Sequence, residues 1–143
     1  MTTISIGCDH AGFPFKEPIK AYLTGLGYEV LDFGTNSLAS ADYPDFAHPT
    51  AEAVGNGRAE RGILICGSGN GVAITANKHQ SVRCGLCWNE EVASLIRLHN
   101  DANMIAIPAR FVTLETALRI LHVFLTTEFE GGRHASRVGK IAC

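Results

Sequence analysis

Cys66-Gly67-Ser68-Gly69-Asn70-Gly71 is the segment of this chain best equipped for chemistry. An apolar, β-type run from Gly62 ends on the cysteine, and alternating glycines lead on to Val72-Ala73-Ile74, which has helical character. Glycines let the backbone turn tightly, so several N–H groups can point into one small volume. The helix that follows adds the positive end of its dipole to the same spot. A thiol held there is expected to ionise more easily than a free one, because positive potential favours the thiolate. The same N–H groups could hold an oxyanion on a substrate. A base beside an oxyanion hole is the equipment for moving a proton next to a carbonyl.

Other uses of a glycine loop fit the spacing less well. A dinucleotide fingerprint needs G-x-G-x-x-G after the first strand, whereas Val72 stands where its last glycine belongs and this loop follows the third strand. No lysine is present for a phosphate-binding P-loop. A cysteine-dependent phosphatase would want an arginine at the end of the loop, and position 72 is valine. A tight turn carrying a structural cysteine stays open.

Three further groups of residues could serve that site. Asp9-His10 closes the first strand and offers an acid/base pair and a cation, although Asp9 could equally cap the helix beginning near Pro14. His99 lies seven residues after Val92, on the apolar stripe of its helix, where a histidine is commonly packed core. The polar run His99-Asn100-Asp101-Ala102-Asn103 that begins there points instead to a ligand pocket. Arg133 and Arg137 are four apart, so two guanidinium forks share one face of a helical turn, which suits a phosphate monoester; a solvated helix is the alternative. His48, His79 and His122 lack such company and read as surface or packing residues.

The elements that must position these residues alternate strand and helix. Strands are expected at Ile4 to Cys8, Glu29 to Phe33, Arg61 to Cys66, Val82 to Leu86 and Met104 to Ile107. Helical stripes are expected from Phe15 to Leu26 (closed by Gly27), from Tyr43-Pro44-Asp45 to Gly55, from Val72 to Asn77, through Val92, Leu95 and Ile96, from Leu114 to Leu125, and after Gly132. Nearly all-apolar strands separated by helices predict a parallel sheet covered on both faces. The expected fold is one α/β domain, a doubly wound, Rossmann-like five-stranded parallel sheet, with ligands beyond the carboxyl ends of the strands.

Composition narrows the function classes. A net charge of −2 excludes a broad basic face for nucleic acid, while the late cluster Arg133 to Lys140 suits a small anion. No apolar run approaches the ~20 residues of a membrane span. The first residues lack the basic and hydrophobic regions of a secretory signal, so cytoplasm is the expected location. An odd number of cysteines, five, argues against a disulfide framework. Cys84-Gly85-Leu86-Cys87 falls on an expected strand, where residues three apart face opposite ways, so two packed thiols are expected rather than a zinc or redox pair.

Gly7-Cys8-Asp9-His10-Ala11-Gly12, Asp42-Tyr43-Pro44, Cys66-Gly67-Ser68-Gly69, Ala76-Asn77-Lys78, His99-Asn100-Asp101-Ala102-Asn103 and Glu130-Gly131-Gly132-Arg133-His134 together resemble the ribose-5-phosphate isomerase B family, in order and over essentially the whole chain. That family includes relatives acting on allose and galactose 6-phosphates. The resemblance implies interconversion of ribose 5-phosphate and ribulose 5-phosphate through an enediolate, without metal or cofactor. Cys66 would take the carbon-bound proton, and the N–H groups of Gly67, Ser68, Gly69, Asn70 and Gly71 would hold the developing oxyanion. Ser68 stands where many members carry threonine, and either hydroxyl can bind substrate. His99, with Asp9, would open the sugar ring, and Asn100 would bind its hydroxyls. His10, Arg110, Arg133 and Arg137 would hold the phosphate. One branch of the family replaces the cysteine by serine and uses a glutamate; with Cys66 and no acid from Asn70 to Ile74, this chain resembles the thiol branch. The resemblance also implies a homodimer, or a tetramer, whose sites are shared between subunits. Another aldose phosphate (a hexose 6-phosphate or a tetrose phosphate) and a non-catalytic phosphosugar-binding module are the alternative functions.

Overall fold

The computed structural model describes residues 2–143 and contains five strands and six helices in the described residues. In chain order they are β1 (Thr3–Cys8), α1 (Phe13–Gly25), β2 (Glu29–Asp32), α2 (Tyr43–Gly55), β3 (Arg61–Cys66), α3 (Asn70–Ala76), β4 (Cys84–Leu86), α4 (Glu90–Leu98), β5 (Met104–Pro108), α5 (Leu114–Thr126) and α6 (Arg133–Gly139). All strands pair in parallel, in the spatial order β2-β1-β3-β5-β4. The chain runs outward from β1 to β2 and then returns to the other side of β1 as β3. The switch point of the sheet therefore lies between β1 and β3, where a crevice opens beyond their carboxyl ends.

Alternation along the central strands feeds two cores. Ile4 and Ile6 of β1, Ile63 and Ile65 of β3, and Ile105 and Ile107 of β5 pack against Ile19 and Leu23 of α1 and Ile120, Leu121 and Phe124 of α5. Leu64 and Cys66 of β3 and Met104 and Ala106 of β5 face the other way, toward Ala47, Ala51 and Val54 of α2 and Val72, Ala73 and Ala76 of α3. The second layer is built of smaller residues, which brings α2 close to the sheet: a Cβ at Gly7 would collide with Thr50. Among the described residues no helix is long and apolar enough to cross a membrane.

Strand and helix edges differ locally from the sequence pattern. β4 starts at Cys84 rather than Val82, because Val82 closes a turn onto the carbonyl of His79 (3.0 Å) and the Arg83 N–H is taken by the Asn103 side chain (2.8 Å). β2 stops at Asp32, whose carboxylate receives the Gly34 N–H at 2.8 Å. Cys84 opens the short edge strand β4 and Cys87 follows it, both as free thiols, Cys87 fully buried.

Lys16 is fully buried, and its ammonium group donates to Asp32 Oδ1 (3.0 Å), the Thr35 carbonyl (2.6 Å) and Asn36 Oδ1 (2.6 Å). All three ammonium donors are thereby satisfied, and α1 is tied to the segment leaving β2. Burial pushes the Asp32 carboxyl up, but hydrogen bonds from Lys20, Lys16 and the Gly34 N–H outweigh it and hold the group below its usual range. Its contribution to stability is full above the ordinary carboxylate value of 3.8 and is lost as pH falls below that toward the folded value. Lys16→Met should cost about 3–5 kcal/mol in urea unfolding at neutral pH and should flatten the acid limb of the stability profile. Wild-type stability in that variant would show that the buried ammonium is incidental.

Candidate active site

β1 and β3 lie side by side with Cys8 opposite Ile65, so Asp9-His10 and the loop after Cys66 emerge together at the switch point. The loop turns through Gly69, whose φ of 77° is left-handed. That turn brings the Gly69 N–H back to donate to Cys66 Sγ at 3.2 Å. A side chain at position 69 would be strained in this conformation and would meet Leu86. The rest of the loop is held by its neighbours. The Ala109 and Arg110 N–H groups donate to the carbonyls of Cys66 (2.9 Å) and Gly67 (3.0 Å), and the Tyr43 ring lies so close to Gly71 that a Cβ there would overlap it.

Cys66 opens into a hollow of about 420 Å³ lined by Asp9, His10, Tyr43, Ser68, Arg110 and Phe111 among others. Asp9 Oδ1 accepts the N–H groups of both Ala11 and Gly12 at 3.0 Å, so this carboxylate does organise the entry to α1 while also lining the hollow. The Ala41 N–H donates to His10 Nδ1 at 3.1 Å, which places the proton of a neutral ring on Nε2 and makes that atom a donor. Ser68 Oγ accepts the Asn70 N–H at 3.3 Å. Two loop donors are therefore spent internally, Gly69 on sulfur and Asn70 on Ser68. The N–H groups of Gly67, Ser68 and Gly71 have no acceptor among the described residues. Asn70 itself lines the neighbouring apolar groove with Leu86, Trp88 and Phe111 rather than the Cys66 hollow.

Besides Gly69 and Asn70, four more of the expected site residues lie outside that hollow. α4 ends at Leu98, so His99 is not on its apolar stripe: it follows the helix as its C-cap and is partly exposed. Its ring stacks on buried His134, with centroids 4.3 Å apart and planes at 18°, and its Nε2 lies 4.0 Å from Glu130. Burial, followed by the neighbouring His99 and Arg133, pushes His134 below the usual histidine range. Asn100 borders a separate hollow with Asn77, Arg83 and Ile96. Arg133 and Arg137 are both exposed on α6, and neither is ion-paired among the described residues.

Several contributors are absent from the sequence reading of the residue types. Tyr43 and Phe111 wall the hollow, and only the aromatic-proline pair at the start of α2 hinted at the first. Buried Arg97 organises the His99-Asn100 corner by donating to the Thr127 carbonyl (3.0 Å), Asp101 Oδ1 (2.9 Å) and the Ala102 carbonyl (2.8 Å). Its place on the helix gave no hint of this, because its partners come from the next loop and the end of α5.

The sequence matches the Ribose/Galactose Isomerase family over residues 4–141. Ribose-5-phosphate isomerase B of Escherichia coli K12 is 45% identical over 141 residues, spanning 99% of this chain and 95% of that protein. The solved structure of Clostridium thermocellum ribose-5-phosphate isomerase B is similar with a TM-score of 0.96 and 50% identity, over 98% of this chain and 95% of that one. The Mycoplasma genitalium ribose-5-phosphate isomerase B structure with bound ribulose 5-phosphate is similar with a TM-score of 0.94 and 42% identity, over 98% of this chain and 93% of that one.

The thiols differ sharply in environment. Burial pushes Cys8 up to about 11 and Cys87 up to about 12, and it raises Cys84 as well. Thiols so raised stay protonated at pH 8 and are poor nucleophiles. Peptide mapping after brief iodoacetamide treatment at pH 8 should find label on Cys66, which opens into the hollow, and on exposed Cys143. Inorganic phosphate should slow labelling of Cys66 alone. Equal labelling of Cys8 or Cys87 would contradict this ordering.

Proposed function

The chain belongs to the ribose/galactose isomerase family, and from that premise we propose that it interconverts ribose 5-phosphate and ribulose 5-phosphate with Cys66 as the base. The observation that carries this reading is a thiol at the floor of a hollow, touched by one backbone N–H and faced by His10 and Arg110. A non-catalytic phosphosugar-binding module has no use for that thiol.

The Cys66 thiolate takes the proton from the carbon beside the carbonyl of the open-chain sugar. The C–H bond breaks, an S–H bond forms, and the electron pair moves onto the carbonyl oxygen to give the enediolate. The unspent N–H groups of Gly67, Ser68 and Gly71 are suited to that oxygen. A proton shift between the two oxygens and return of the thiol proton to the neighbouring carbon complete the isomerisation. His10 Nε2 and the Arg110 guanidinium, which also line the hollow, are suited to the phosphate.

His99, Asn100, Arg133 and Arg137 come to this hollow from a second copy of the chain. The support is that none of them lines it within one chain, while exposed Phe111 and Trp88 border it and the adjoining groove. In that assembly His99 and Asp9 open the sugar ring, Asn100 binds hydroxyls and the arginine pair completes the phosphate site. Five free cysteines suit a reducing compartment, and we place the enzyme in the cytoplasm.

Interconversion of the two pentose phosphates should proceed with EDTA present. Cys66→Ala should lower kcat at least about 10²-fold, the usual scale for a general base, and leave affinity for the phosphorylated sugar largely unchanged. Near-normal turnover in that variant would remove Cys66 from the role of base.

A further inference from the structure

His99, Glu130 and His134 each offer one ligand atom, and these atoms lie within 4.8 Å of one another. We propose that they form a chelating site for a divalent transition-metal ion of zinc type, and that metal bound there inhibits the enzyme by occupying His99. The site is built rather than a chance surface grouping. His134 is only 5% exposed, and its buried Nε2 has no hydrogen-bond partner. A buried imidazole nitrogen left unpaired is costly, and a metal ion is one of the few partners that would satisfy it without a proton. Glu130 and His99 form the open rim of the cluster, with side chains 55% and 39% exposed.

Two imidazoles and one carboxylate are a common borderline ligand set for zinc, with a further position left for water. His99 Nε2 and Glu130 Oε2 stand 4.0 Å apart, somewhat wider than the ligand spacing around a tetrahedral ion, so the cluster must contract on binding. The rings stack nearly parallel, at 18°, so their lone pairs run side by side. Convergence requires His99, on its partly exposed C-cap position, to turn out of the stack. The charges around the cluster oppose each other. Glu130 favours a dication, while Arg133 and Arg137 on the same helix as His134 disfavour it. The expected site is therefore one that loads when metal is plentiful and releases it to EDTA, not a resident cofactor site. Binding at this cluster stands on its own geometry; inhibition rests on the ring-opening role proposed for His99.

The test separates the two parts. Zinc binding is measured by titration calorimetry on full-length protein in a Cys66→Ala background, which removes the thiol of the hollow as a competing ligand. Glu130→Gln, at an exposed position where folding is safe, should weaken binding at least about tenfold, the lower bound for losing even an outer-shell metal partner. His134→Asn should do the same. Cobalt should give the visible bands of nitrogen and oxygen ligation without a thiolate charge-transfer band. Equal zinc affinity in the parent and in Glu130→Gln would overturn the site. For inhibition, wild-type enzyme with Cys66 intact should be inhibited by zinc and restored by EDTA. Glu130→Gln, compared with its own zinc-free rate, should need at least about tenfold more zinc for the same fractional inhibition. Unchanged zinc sensitivity in Glu130→Gln, or turnover indifferent to zinc that is bound at the cluster, would overturn the inhibition.

Discussion

The contact from the Gly69 N–H to the sulfur of Cys66, 3.2 Å long, is possible only because position 69 can adopt φ 77°. The chain must leave a buried strand, reverse within three residues and enter α3, all while keeping a side chain accessible from the crevice. Glycine meets that demand without strain, and Leu86 occupies the space a side chain would need. The turn fixes the thiol against the loop and leaves other N–H groups of the same loop unspent. It also sets where the walls can stand. Tyr43 reaches Gly71, and Arg110 packs on Gly67, because neither glycine offers a Cβ to keep them away. The sheet contributes the rest of the precision, since the register that places Cys66 beside Pro108 delivers the Arg110 segment to the loop's carbonyls.

The electrostatics of the hollow have a backbone part and a side-chain part. Near the thiol the positive character comes from backbone dipoles, which are neutral overall and suit charge that appears only during reaction. The side-chain part comes from His10 and Arg110, whose fixed groups suit an anion present throughout. Asp9 is the one carboxylate lining the hollow, and one of its oxygens is engaged by the Ala11 and Gly12 N–H groups. Arg133 and Arg137 stand exposed on α6, without carboxylate partners among the described residues. Two unpaired guanidiniums held four residues apart are a poor investment in stability and a good one in binding an anion on another surface. That is the physical case for a site assembled from two copies.

The fold was legible because its strands are apolar runs and its helices carry amphipathic stripes, as Ile63-Leu64-Ile65 and Leu114 to Leu125 show. The strand order was not, because nothing local in Cys84 to Leu86 tells that this strand takes the edge while Met104 to Pro108 slips in between. Within the site, Cys66 and its glycines were legible from spacing alone, and Asp9-His10 from its place after a strand. His99 was misplaced on an apolar stripe, since seven-residue spacing cannot show that the helix stops at Leu98. The ammonium of Lys16 and the guanidinium of Arg97 were invisible for a related reason. Their partners, Asp32, Thr35 and Asn36 for one and Thr127, Asp101 and Ala102 for the other, are brought near only by tertiary structure. The loop's own consumption of the Gly69 and Asn70 N–H groups was likewise unreadable, as it depends on the turn actually made.

The proposed division of one site between two copies is tested most directly by mixing two inactive chains, one carrying Cys66→Ala and the other His99→Asn. In a heterodimer with shared sites, one hollow receives an intact Cys66 from one chain and an intact His99 from the other. Activity on the cyclic sugar phosphate should then return, while either parent homodimer stays inactive. An already opened sugar would bypass His99, so the ring-closed substrate is essential. Verified heterodimer with no recovered turnover would contradict the account and put the whole site within a single chain.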